Sequence, residues 1–83
     1  MSVSDKIRAA LILKGKNNSD AATVLGITTQ AFNNKLNRNS FYMSDIIKLS
    51  NLLNFKLMMA DSEGQQIVFN IKDIKEIIEN ENN

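Results

Sequence analysis

The stretch NNSDAATVLGITTQAFNNKL, Asn17 to Leu36, reads as two short helices joined by a tight turn at Gly26. The first of the pair spans about Asn18–Leu25. Asn17 is its expected N-cap, and Asp20 three residues on makes a variant of the capping box. Ala21 and Ala22 are small enough to let another helix approach closely, and Leu25 anchors the inner face. Gly26 can take the left-handed conformation that ends a helix and turns the chain. The second helix of the pair is expected over Thr29–Asn37 with Thr28 as N-cap. Phe32 and Leu36, one turn apart, are its core positions, and Ala31 is small enough to sit against the preceding helix. Its remaining positions are Thr29, Gln30, Asn33, Asn34 and Lys35. Amides and hydroxyls are poor core fillers, and Asn is a weaker helix former than the Lys and Glu that usually cover a solvated face. They do match the hydrogen-bonding edges of bases in the major groove of DNA. The competing reading is a solvated helix surface that happens to be uncharged.

Helical spacing extends on both sides of this pair. A helix is expected over about Ser4–Leu13, with Ser4 as cap, Asp5 at the positive end of its dipole, Ile7 and Leu11 inward, and Gly15 as stop. Arg38 to Tyr42 breaks periodicity and reads as a loop, under which Phe41 and Tyr42 can pack, the alternative being an exposed Tyr42 near a DNA backbone. A fourth helix follows over about Ser44–Leu53, capped by Ser44. Ile46, Leu49 and Leu53 face inward, Ile47 partly so, and Asn54 ends it. The period then changes. FKLMMA (55–60) and QQIVF (65–69) flank Asp61-Ser62-Glu63-Gly64, the pattern of a β-hairpin around an acidic turn. From Ile71 to about Asn80, Ile71, Ile74, Ile77 and Ile78 share a helical stripe. The expected architecture is therefore mainly α: a four-helix bundle over 1–55, then a β-hairpin and C-terminal helix over 56–83 as part of the same domain. A two-stranded hairpin is marginal alone. It either completes the monomer core or packs on a second chain through Leu57, Met59, Ile67, Phe69, Ile71, Ile74 and Ile78.

Composition narrows the function classes. Eighty-three residues make one domain whose core is marginal, with no Cys to staple it. There is no His, the commonest general base and metal ligand. No Gly-rich phosphate loop and no paired carboxylates stand in their place, so an enzyme is not expected, nor a cofactor or metal. Asp61 and Glu63 are explained by turn preference. No apolar run reaches the roughly 18 residues of a membrane span, and the start lacks a signal-peptide pattern, so a cytoplasmic protein is expected. The net charge of +1 conceals an asymmetry. Up to Lys56 there are eight cations and three acids; beyond it, two cations and six acids. A basic N-terminal part suits a polyanion, and an acidic tail suits a surface pointing away from one.

Three segments together resemble the phage repressor and Cro family, the XRE-type helix-turn-helix proteins. Ala21-Ala22-Thr23-Val24-Leu25-Gly26-Ile27 is similar to the family's second helix and turn. Thr28-Thr29-Gln30-Ala31-Phe32-Asn33-Asn34 is similar to its recognition helix. Ile46 to Phe55 is similar to its fourth helix, with Asn54 where the family usually has Gly. The resemblance covers residues 4 to 55 and leaves the hairpin outside it. It implies a lambda-repressor-like helix-turn-helix fold and a sequence-specific DNA-binding regulator, of repressor type, acting as a homodimer on double-stranded DNA. Base reading then falls to Thr29, Gln30, Asn33 and Asn34. Phosphate contacts fall to Asn17, Asn18 and Thr28 at two helix N-termini, where free N–H groups favour anions, to Lys35, Asn37, Arg38 and Asn39 beyond the reading face, and to Lys16. The alternative is a protein-protein adaptor on the same fold, with the hairpin and the Ile71–Ile78 stripe as its binding surface.

Overall fold

The structure is a computed structural model that describes residues 1–74. Four helices, α1 (Val3–Leu13), α2 (Asn18–Leu25), α3 (Thr29–Arg38) and α4 (Met43–Leu53), precede two strands, β1 (Leu57–Ala60) and β2 (Gln66–Phe69), and a single 3-10 turn at Ile71–Asp73. The molecule is mainly helical, with a small antiparallel hairpin.

The helices end in a common way. Gly15, Gly26, Asn39 and Asn54 all have positive φ. Behind them the N–H groups of Lys16, Ile27, Ser40 and Phe55 reach back five residues to the carbonyls of Leu11, Ala22, Lys35 and Ser50 at 2.9–3.0 Å. This is the long-range bond of a Schellman ending, which satisfies carbonyls the helix cannot use internally. Gly26, at φ 71°, occupies a region that costs a side-chain-bearing residue about 1 kcal/mol or more. Asn tolerates it at positions 39 and 54 because its short amide can bond locally.

Three of the four helix starts, those of α1, α2 and α4, carry an Asp at the third helical position. Asn17 Oδ1 accepts the Asp20 N–H at 2.8 Å, and the Asp20 carboxylate accepts the Asn17 N–H at 2.9 Å. The same arrangement corrects two expected caps. The cap of α1 is Ser2, whose Oγ accepts the Asp5 N–H at 3.0 Å and whose N–H donates to Asp5 at 3.2 Å. Ser4 lies inside the helix and is buried. At α4 the Asp45 carboxylate accepts the Tyr42 N–H at 2.9 Å, so the helix begins at Met43 and Ser44 is already within it. The side-chain caps of Ser2 and Asn17 each contribute about 1 kcal/mol.

The core gathers Ile7 and Leu11 of α1, Ala21 and Ala22 of α2, Phe32 and Leu36 of α3, and Leu49 and Leu53 of α4. Ala21 and Ala22 leave room for α2 to pack on both α3 and α4. Phe32 is wholly buried and meets the Phe41 ring edge-on at a centroid distance of 6.2 Å. Burying such a ring stabilises the fold by about 2–3 kcal/mol. Ile47 is buried, while Ile46 is only half-buried, the reverse of the expected weighting. The hairpin packs on α4 through β1.

In the hairpin Leu57 pairs with Phe69, Met58 with Val68, Met59 with Ile67 and Ala60 with Gln66. Asp61 closes the turn by accepting the Glu63 and Gln65 N–H groups at 3.0 and 2.9 Å. The expected α-helix does not begin at Ile71. The chain makes one 3-10 turn capped by Asn70, and Ile74 then adopts extended dihedrals, φ −86° and ψ 112°. Leaving the helical path lets Ile74 bury its side chain to 5% exposure. Ile74 is therefore part of the chain's own interior and not of an outward stripe, while the expected helical positions Ile77 and Ile78 lie outside the described residues. Of the other positions expected at a dimer contact, Leu57 and Phe69 are half-buried and Met59, Ile67 and Ile71 are exposed.

Candidate nucleic-acid interface

The outward side of α3 carries no carboxylate along its length, TQAFNNKLNR. Phe32 and Leu36 turn the opposite side into the core, which fixes Thr29, Gln30, Asn34, Asn37 and Arg38 as exposed. Thr28 caps the helix, its Oγ1 accepting the Ala31 N–H at 3.0 Å. Gln30 and Asn34, one turn apart, are linked by a bond from Gln30 Nε2 to Asn34 Oδ1 at 3.3 Å. That link leaves the Gln30 carbonyl oxygen and the Asn34 amide hydrogens as an acceptor and donor side by side.

Asn33 is placed differently. It is half-buried, and its Oδ1 accepts from Asn18 Nδ2 at 2.9 Å. The bond ties the first residue of α2 to the middle of α3. Asn33 is thus not a free reading group, and Asn18 is held by side-chain bonding rather than left loose at the α2 terminus.

Lys35 and Asn39 are likewise engaged within the chain. Lys35 Nζ pairs with Asp45 at 3.1 Å and stands 4.9 Å from the centre of the Tyr42 ring. Its charge neutralises the carboxylate that caps α4, and it is not an unattached cation for a phosphate. Asn39 ends α3, and its Oδ1 accepts the Ser4 N–H at 2.8 Å. Ser4 Oγ in turn donates to the Leu36 carbonyl at 2.7 Å. Ser4 and Asn39 together fasten the start of α1 to the end of α3. Asn17 stays exposed, but its side chain is engaged in the α2 cap. Lys16 is exposed just before that terminus.

Asn34, Lys35 and Arg38, expected as site residues, join Ala31, Ser40 and Tyr42 around a concave site of about 300 Å³ between α3 and the following loop, a grouping the sequence did not reveal. Tyr42 is 74% exposed. The hollow combines one guanidinium, two hydroxyls and an amide, a donor set suited to phosphate oxygens. The signal available in the sequence was Asp45, three residues after Tyr42, which marks Tyr42 as a helix cap and so as a residue at the rim.

Among the described residues no three His, Cys, Asp or Glu side chains are grouped to hold a metal ion, and no helix is long and apolar enough to cross a membrane. Compared with protein-family models, with curated proteins and with solved structures, the chain matches none.

Proposed function

We propose that this chain is a sequence-specific DNA-binding regulator of helix-turn-helix type, akin to the phage repressors its sequence resembles, and that it acts as a repressor. In this reading α2, the Gly26 turn and α3 form the helix-turn-helix, and α3 enters the major groove. The observation that carries the proposal is the exposed, carboxylate-free face of Thr29, Gln30 and Asn34 beside Arg38 and the Tyr42 hollow. Major-groove edges distinguish all four base pairs by donor and acceptor pattern, and an adenine offers N6–H as donor with N7 as acceptor. The bonded Gln30–Asn34 pair offers the complement, Gln30 Oε1 to accept and Asn34 Nδ2 to donate. Thr29 can place its methyl against a thymine. An A·T pair is therefore the base step this pair suits. Arg38, Lys16, Ser40, Tyr42 and the N–H groups at the starts of α2 and α3 supply the phosphate contacts that set register.

A single small module reads few bases, so two copies on a near-palindromic site, with α3 helices about 34 Å apart, are required for useful specificity. Occlusion of a promoter is the simplest regulatory output of a module that covers its site in this way. The test is selection of bound duplexes from a random pool, followed by titration against the selected site. Enrichment of one A·T-containing motif with inverted repeats is the expected result. Recovery of unenriched sequence, with binding that depends on salt alone, would remove the proposal.

A further inference from the structure

We propose that binding of this chain to its site is blocked by N6-methylation of the adenine that Gln30 and Asn34 read, so that it responds to the methylation state of the DNA as well as to its sequence. The inference rests on the reading of α3 given above and adds a chemical mark on the DNA as its regulator.

The stretch TQAFNN that opens α3 carries no charge. Gln30 and Asn34 are its exposed amides, and the bond between them uses one donor and one acceptor. Whichever amide donates, the couple keeps one carbonyl oxygen and one amide NH2 group for a ligand. In the major groove guanine presents acceptors at N7 and O6, cytosine a donor, and thymine an acceptor and a methyl; adenine alone presents a donor and an acceptor together.

Adenine carries two N6–H bonds. One pairs with thymine, and the other, on the N7 side, is the donor seen from the groove. A methyl on N6 keeps the base pair only by taking that second position. The donor is then gone, and a carbon stands where it pointed. An accepting oxygen sits about 2.9 Å from N6, whereas the methyl carbon itself needs roughly 3.5 Å of clearance. The amide oxygen has to withdraw, its lone pairs are left unmet in a contact closed to water, and the N7 bond made by the partner amide is drawn out of range with it.

Methylation changes no charge. A face that grips DNA through Lys and Arg does not sense it, but a face that holds its base by one acceptor and one donor does. The neighbours able to take over the contact are engaged elsewhere: Asn33 is bonded to Asn18 at 2.9 Å, and Lys35 is paired with Asp45 at 3.1 Å. With two copies on an inverted repeat, each strand carries one such adenine. Methylation of one strand leaves one good half-site, and methylation of both leaves none, so the response has two steps.

Fluorescence anisotropy with synthetic duplexes tests this. They carry the site selected from the random pool, with N6-methyladenine at each adenine in turn, on one strand or both. At one adenine of the half-site, a single methyl is expected to weaken binding about tenfold, and a methyl on each strand about a hundredfold. Replacing that adenine by 7-deazaadenine, which lacks the N7 acceptor and keeps N6 unaltered, is expected to cost about tenfold as well. Gln30→Ala combined with Asn34→Ala, with unchanged far-UV circular dichroism, is expected to bind methylated and unmethylated duplexes alike. Site preference that survives methylation at every adenine overturns this inference and leaves the helix-turn-helix reading standing. So does a double variant that still rejects the methylated duplex, because the effect then lies in the DNA. Absence of any preferred site removes that reading and this inference together.

Discussion

Asn18 and Asn33 are joined side chain to side chain, Nδ2 to Oδ1 at 2.9 Å, across the junction of α2 and α3. Fifteen residues apart in sequence, they make the orientation of α3 relative to the α2 N-terminus a matter of hydrogen bonding as well as packing. This pair separates two roles that residues of identical chemistry hold on one helix. Asn34 is exposed and in the proposed function reads bases, whereas Asn33 is half-buried and bonded to Asn18.

Asn33→Ala should therefore behave unlike a base-reading mutation. It is expected to lower stability by about 1 kcal/mol, the usual net value of such a bond. DNA affinity should fall by a similar factor on selected and scrambled duplexes. Urea denaturation and fluorescence anisotropy on both duplexes measure the two effects.

Gln30→Ala combined with Asn34→Ala should show the opposite pattern. Both side chains are exposed and bond only to each other among the described groups, so folding should be unaffected within about 0.5 kcal/mol. Preference for the selected site is expected to fall by about 1–3 kcal/mol for each base pair no longer recognised, while weak general binding persists. An undiminished preference in a gel-shift competition would falsify the assignment of this face.

Arg38 and Lys35 lie three residues apart and are expected to divide cleanly. Arg38→Ala should weaken binding to every sequence and reduce the slope of log affinity against log salt by about 1. Lys35→Ala leaves Asp45 buried without its cation. It should destabilise the fold by about 1–3 kcal/mol and leave that slope nearly unchanged.

Acid should loosen the start of α1. The backbone N–H of Ser2 and then its hydroxyl hold the Asp5 carboxyl below its usual value, with Arg8 adding to the effect. A carboxylate depressed in the folded state contributes at neutral pH, and its contribution fades as pH falls through the folded value. Loss is thus expected only below about pH 4. Stability followed against pH should decline less steeply for Asp5→Asn than for the wild type, because that variant has no proton to take up there.

Ser4→Ala removes the Oγ that donates to the Leu36 carbonyl at 2.7 Å, while the Asn39 N–H still donates to that carbonyl at 3.2 Å. A cost of about 1 kcal/mol, the net value of one hydrogen bond, follows. Chemical denaturation should register it with no change in helix content at low denaturant.

Local signals are enough to identify four helices, the turn at Gly26, the Asn17–Asp20 cap and the hairpin. Each of these depends on residues close together in the chain, so neighbours in sequence already contain the cause. The outward face of α3 is legible for the same reason: Phe32 and Leu36 choose the inner side, and the remaining positions follow at about 3.6 residues per turn. The expected serine caps at Ser4 and Ser44 fail for a local reason too. The Asp three residues after Ser2 and after Tyr42 decides where each helix starts.

Which polar side chains on that face are available is settled only by tertiary structure. Asn33, Lys35 and Asn39 look as free as Asn34 and Arg38 in the sequence, yet they are taken by Asn18, Asp45 and Ser4, at separations of 15, 10 and 35 residues. The burial of Ile74 has the same origin. A side chain's type and helical phase decide where it points, but its availability depends on what distant segments bring within hydrogen-bonding or packing range, and that is set by the fold as a whole.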